Sequence, residues 1–384
     1  MDLLLLSVIA VVALALLFDF SNGFHDAANS IATVVATKTM SARAAVWFSA
    51  FFNFAAFFFV GTAVANTVAK VVKPGVEGVG VVFAALLAAI AWNYATWFVG
   101  MPSSSSHAII GGLIGAGLAA GGTDAVDWSN VKKVALAIIV SPAVALSVAA
   151  LATLLVRGIQ KVTRWGDDAK PFKALQLVSA GAVSFGHGAN DAQKTMGVIA
   201  TLLVGAGYLS TDDPKNIAVP TWVALAAYSA IALGTVWGGW RIIHTMGLRI
   251  TALRANTGVA ANIGATTAIF GATTMGIPIS TTHAAASSVI GAGVGSRRGV
   301  NWRVIGEMVV AWVVTLPSTA AIAWLAYELT RLPQPLDVVV VGAVVLALAG
   351  WIVWAMRHSM GHKEIEAELA TTADVVLEPT KAAA

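Results

Sequence analysis

The sequence predicts an all-α polytopic membrane protein: two inverted repeats with broken helices and two re-entrant-like Ser/Thr-tipped hairpins, plus an extra C-terminal span. Three observations predict it. Hydrophobic residues make up 58% of the 384 residues and charged residues 11%, against about 25% charged in soluble domains. Several apolar runs reach the ~20 residues that cross ~30 Å of hydrocarbon. Two polar stretches occur twice and in the same order, NGFHDAANS (22–30) with HGANDAQKT (187–195), and MPSSSSH (101–107) with IPISTTH (277–283).

Composition also excludes. There is no cysteine, so no disulfide, thiol nucleophile or cysteine metal site exists. The net charge of +4 fits cytoplasmic Lys and Arg in a membrane protein better than a nucleic-acid partner, and none is expected. Without a GxxxxGK[ST] stretch the chain is not by itself an ATP-driven pump. Residues 2–18 lack a basic n-region and run into Asp19, so they read as a retained helix rather than a signal peptide.

Taken in order, residues 3–19 read as an apolar helix that breaks at DFSNGFHD (19–26) and resumes over 27–37. A Phe-rich helix follows from about 43 to 69, then a turn at Lys73-Pro74-Gly75, then an apolar run over 79–99 ending at the Ser-rich tip. A Gly-rich helix through GGLIGAG (111–117) leads to the loop of Asp124 and Asp127, and a span over 131–156 contains Pro142. The linker 157–173 carries five basic residues and only Asp167 and Asp168 against them, which makes it cytoplasmic.

The second copy repeats this order. Residues 174–207 break at HGANDAQKT, and the loop 210–218 with Asp212 and Asp213 reads as external. A span over 219–243, the run 258–276, the tip IPISTTH, a Gly-rich helix and a span over 304–328 complete it. Trp128 and Trp302 open corresponding helices, and Pro142 and Pro317 recur inside them. The division is repeat one at 1–156, the linker at 157–173, repeat two at 174–330, the extra span at 331–357 and a polar, disordered tail at 358–384. Each half crosses an odd number of times, so the second is inverted, a mark of secondary transporters. The expected location is the cytoplasmic membrane of a prokaryote, with the N-terminus outside and the tail inside.

The Ser/Thr tips offer hydroxyls and the free N–H groups of helix starts, which favour an oxyanion. Asp26 and Asp191 are carboxylates at depth and need a cation. With Asn22, Asn29, Asn190 or Gln193 they would form an oxygen shell for sodium or a divalent metal; with His25 or His187 beside them they would instead carry protons. Lys194 is either an anion contact or the counter-ion of an Asp. His107 and His283 recur beside the tips, as site-shell residues or local hydrogen bonders. Glu307 either snorkels, balances Arg303, or takes part in coupling. The Gly runs read as close-packing surfaces between helices.

The four stretches NGFHDAANS, HGANDAQKT, MPSSSSHAIIG and IPISTTHAAASSVIGAG together resemble the paired signatures of the PiT family of inorganic phosphate transporters, most of all its bacterial low-affinity permeases. The resemblance runs from about residue 3 to 328. It implies a homodimeric symporter, not an enzyme, that holds phosphate between two hairpin tips. Carried over by motif, Ser104, Ser105, Ser106, Ser280, Thr281 and Thr282 would face phosphate, and Asp26, Asn29, Asn190 and Asp191 would serve the coupling cation. Lys194 would join the phosphate shell, and His25 and Gln193 the cation shell, with Asp26 and Asp191 as the ligands if sodium or a divalent ion binds. No resident cofactor is expected, only a co-transported proton or sodium ion and Mg²⁺ travelling with phosphate as a neutral complex. His25 stands where repeat two has Asn190, which sets it apart from the Asn-Asp form of sodium-coupled members. Competing readings are a symporter of another tetrahedral oxyanion such as sulfate, an intramembrane hydrolase using Ser106 or Thr282 with a His, and a passive anion channel, which buried Asp residues would obstruct.

Overall fold

The structure, a computed structural model, describes residues 2–210 and 217–359 together with 361, 364 and 367. The loop residues Asp212 and Asp213, and the tail apart from those few positions, lie outside the described residues. Regular structure among the described residues is helical, apart from one antiparallel bridge between Val72 and Val126. Among the described residues, six helices are long and apolar enough to cross a membrane, or eight if two sharply bent pairs each count as one span.

Helix α1 (Leu3–Ala36) starts at Asp2, whose carboxylate accepts from the Leu4 N–H at 3.1 Å, and continues for 34 residues. Helix α7 (Lys170–Gly205) likewise runs unbroken through HGANDAQKT. The expected breaks at 19–26 and 187–195 are therefore absent. Neither stretch contains proline, and Gly costs an interior helix only about 1 kcal/mol. Most of their polar side chains are buried against partners, many on other helices, so the backbone need not unwind to satisfy them. Gly23 is there for contact: a Cβ on it would lie 2.2 Å from the Ile231 carbonyl oxygen, and one on Gly234 would lie 2.1 Å from that of Phe20.

The broken helices are the two spans that read as continuous. Helix α2 (Ala42–Ala55) passes through a 3₁₀ turn at Ala56–Phe58 and meets α3 (Ala63–Ala69) at 88°. Helix α8 (Thr221–Trp237) meets α9 (Trp240–His244) and a following π-helical turn (Thr245–Arg249) at 69°. The second bend sits on Gly238-Gly239, with Gly238 at φ 78°. Gly239 abuts α1, because a Cβ there would lie 2.3 Å from the Phe24 carbonyl oxygen.

Helices α4 (Val79–Val99) and α5 (Ser105–Gly121) form one hairpin, and α10 (Ala255–Thr274) and α11 (Thr281–Ser296) form the other. Helix α6 (Trp128–Thr163) packs across α10 and α11, while α12 (Trp302–Leu329) packs across α4 and α5. Each half thus braces the hairpin of the other. Helix α6 runs through Thr163 before Arg164 caps it in the left-handed region, so residues 157–163 are helical and the connection shrinks to 164–169. Helix α13 (Leu336–Arg357) lies outside the bundle with only Ala355 buried, its apolar face left to lipid.

The 36 residues of α7 span about 54 Å at 1.5 Å per residue, so their two ends mark the two faces. At the 164–169 face, Asp168 accepts from the Ala255 N–H at the start of α10, and Asp167 pairs with Arg298 just past α11. Burial opposes the charge of Asp167, but a hydrogen bond from Gln160 and the Arg298 guanidinium hold its carboxyl below the usual value. At the other face, Val72, Lys73 and Glu77 gather beside Asp127, Thr201 and Ile217. One hairpin therefore enters from each face.

Candidate functional site

Helices α1 and α7 cross in the middle of the bundle. Asn22 of α1 donates to Asp191 Oδ2 at 3.4 Å. Ligand atoms of Asp26, His187 and Asp191 all lie within 4.8 Å of one another, the only such His/Asp/Glu group among the described residues. The hairpin tips close on this crossing from both sides. Ser106 donates to the Ile279 carbonyl at 2.8 Å, joining tip to tip.

The two carboxylates differ in their partners. Asp26 Oδ1 lies 2.6 Å from His25 Nδ1, and His25 Nε2 lies 3.0 Å from the Thr96 hydroxyl, which also accepts from Ser103 at 2.8 Å. Asp191 Oδ1 accepts from Lys194 at 2.5 Å, and its Oδ2 lies 3.4 Å from His187 Nε2. The Thr281 hydroxyl stands 3.3 Å from Asp26 Oδ2 and 3.1 Å from Asp191 Oδ2. A hydroxyl has one proton, so it serves one carboxylate at a time. Asn29 donates to Thr281 and Thr282 at 3.3 and 3.1 Å.

Lys194 has three N–H bonds and three oxygen partners: Asp191, Ser106 at 2.5 Å and the Ile279 carbonyl at 2.9 Å. It ties an Asp to both tips. Ser104 and Ser280 cap α5 and α11, each accepting from the N–H three residues on at 3.1 Å. Their oxygens are thus committed to the helix starts. The Ser105 hydroxyl, buried at the first residue of α5, has no partner. His107 and His283 meet edge to face at 4.4 Å behind the tips, and His283 stacks on Trp312.

Two expected site residues do other work. Gln193 accepts from the Val64 and Ala65 N–H groups at 2.9 and 3.3 Å, capping α3 beyond its bend. Asn190 donates to Thr273 and accepts from the Ile279 N–H, fastening the second hairpin to α7. Glu307 is half-exposed and pairs with Arg303 at 3.3 Å, away from the crossing. Gln193→Leu is expected to remove the cap and lower stability by about 1 kcal/mol. Thermal unfolding of the purified protein measures this, and an unchanged midpoint would mean the cap is idle.

The sequence reading passed over Asp19, Thr96 and Thr195. The signal was present: Asp19, Asn22, Asp26, Asn29 and Thr33 recur at intervals of three and four, one face of an unbroken helix. Among the described residues, the buried charged side chains are Asp19, Asp26, Asp191 and Lys194. Three acids face one base in a region of low dielectric. A buried carboxylate of this kind is costly unless a proton or a cation balances it.

The phosphate transporter family model matches residues 22–168 and 159–323. A probable low-affinity inorganic phosphate transporter of Rhizobium meliloti (strain 1021) is 48% identical over 322 residues, covering 83% of this chain and 95% of that protein. One described in the same words from Bacillus subtilis (strain 168) is 44% identical over 333 residues, covering 85% and 98%. In fold, the chain is similar to a solved structure described as the sodium-dependent phosphate transporter, with a TM-score of 0.75 at 24% identity, over 85% of this chain and 100% of that one.

Proposed function

This chain belongs to the phosphate transporter family, and from that premise we propose that it is a secondary symporter of inorganic phosphate in the cytoplasmic membrane. The observation that carries the reading is the meeting of two oppositely entering helix starts, α5 and α11, on the buried carboxylates Asp26 and Asp191.

Phosphate binds between the tips, on the Ser105, Ser106, Thr281 and Thr282 hydroxyls and the adjoining N–H groups. These donors carry no fixed positive charge, so the anion is held and then released. Lys194 keeps Ser106 and Ile279 in register. The coupling cation enters at Asp26, His187 and Asp191 and cancels the charge that would repel phosphate. It is a sodium ion if the carboxylates ligate directly. It is a proton if the 2.6 Å Asp26–His25 contact is the carrier. Mg²⁺ accompanying phosphate would lower its charge further. The entry of one hairpin from each face supports an inverted repeat, in which the crossing opens to either side in turn. A second copy of the chain in the membrane is part of this proposal.

The test is radiolabelled phosphate uptake into proteoliposomes holding only the purified protein, under a sodium gradient, a proton gradient or neither, with and without Mg²⁺. One gradient should drive accumulation, and sulfate should not compete. Equal uptake without any gradient would sink the symport reading, and sulfate uptake in place of phosphate would overturn the substrate. In the same vesicles Ser105→Ala should raise the KM for phosphate about tenfold, the effect of one hydrogen bond to a charged group, with the preferred gradient unchanged. An unaltered KM would move phosphate off the tip of α5.

A further inference from the structure

The crossing leaves one buried acid unexplained. Asp19 lies two helical turns before Asp26 on the same face of α1 and is wholly buried, yet neither carboxylate oxygen has a hydrogen-bond partner. The side chains beside it are neutral and polar. Asn22, from the next turn of α1, and Thr195, from α7, face it directly. Tyr228 of α8, also fully buried, lies within electrostatic range. The Asn22 Oδ1, Thr195 hydroxyl and Tyr228 hydroxyl likewise have no partner. Asn22 Nδ2 donates to Asp191, and its carbonyl oxygen has no hydrogen-bond partner. The charged groups in range, Asp191 and Lys194, pair with each other at 2.5 Å, so neither neutralises Asp19.

We propose that Asp19, Asn22, Thr195 and Tyr228 form a sodium-ion site between α1, α7 and α8, separate from the Asp26–His187–Asp191 cluster. A proton on Asp19 would remove its charge but add only one more donor among these lone pairs. A coordinated ion satisfies all of them together. One carboxylate among neutral oxygens balances a charge of one, which selects a monovalent cation over a divalent one. The position also fits a role. An ion here is held by Asn22, which also contacts Asp191, so its arrival fixes a side chain that reaches the Asp26–Asp191 crossing. In the second half the position matching Asp19 is Ser184, whose hydroxyl is returned to the Ala180 carbonyl at 2.9 Å. The site therefore exists on one side of the crossing only.

The proposal does not rest on phosphate being the substrate, and its test contains none. Binding of ²²Na⁺ to the purified full-length protein is measured in phosphate-free buffer, for the wild type and for Asp19→Asn, Tyr228→Phe and Asp191→Asn. The wild type should bind sodium. Asp19→Asn should lose that binding or weaken it at least tenfold, Tyr228→Phe should weaken it severalfold, and Asp191→Asn should keep the Asp19-dependent fraction. If Asp19→Asn does not fold, Tyr228→Phe and Thr195→Val decide in its place, since both remove an oxygen function at nearly constant volume. Sodium binding unchanged in every variant at the site overturns the proposal. So does a wild type that binds no sodium, or one that takes up only a proton. Failure of phosphate uptake with sodium binding intact would instead count against the proposed substrate.

Discussion

Phosphate uptake should fall by about two orders of magnitude in Asp191→Asn, and the purified protein should also lose stability. Asp191 holds one end of a buried pair with Lys194 at 2.5 Å. Removing one partner of such a pair leaves an uncompensated charge and costs about 3–5 kcal/mol, and each 1.4 kcal/mol lost from transition-state stabilisation is about tenfold in rate. Two effects are mixed here, and a second variant separates them. In Asp191→Asn with Lys194→Met the orphaned charge is gone, so stability should recover most of the way while uptake stays at background. Measured together, uptake and thermal midpoint distinguish a carboxylate needed for transport from one needed only to balance Lys194. Near-normal uptake in either variant would remove Asp191 from the coupling site.

The second large effect is expected where the hairpins meet their braces. A Cβ on Gly115 of α5 would lie 1.9 Å from the Ala320 carbonyl oxygen of α12, and one on Gly291 of α11 would lie 2.2 Å from that of Leu146 of α6. These are matched positions in the two halves, and in both the obstacle is backbone, which cannot swing aside. Gly115→Leu and Gly291→Leu should each cost about 3 kcal/mol or more through overpacking, and monodisperse protein should be lost on size-exclusion chromatography. Gly158→Leu on α6 is the control, because nothing lies within 4 Å of its added carbon. Normal yield of the Gly115 and Gly291 variants would show that the helices can separate without cost.

The glycine runs were legible in the sequence because small residues at helical spacing have one common use inside a bilayer. The starts of α6 and α12 at Trp128 and Trp302 were legible too, as were the hairpin tips, since Pro before a run of hydroxyl residues specifies a helix start from local chemistry alone. The breaks were misplaced for a physical reason. A polar stretch in an apolar helix unwinds only if its side chains and backbone lack partners, and most of those of α1 and α7 are supplied by one another and by α8, α10 and the tips. Nothing local to NGFHDAANS says that Thr281 will arrive from 255 residues away.

Composition and repeated motifs determined by themselves that this chain is a helical membrane protein of this family with a duplicated Ser/Thr tip, because hydrophobic length, hydroxyl-rich helix starts and intramembrane acids act through short-range chemistry. Only the tertiary structure decided which acids meet. It placed Asp26 and Asp191 on one threonine, gave Lys194 to Asp191 and both tips, turned Gln193 into a cap for α3, and left Asp19 buried among unpartnered oxygens. Those outcomes depend on where two crossing helices touch, and electrostatics at that distance is fixed by three-dimensional neighbours rather than by position along the chain.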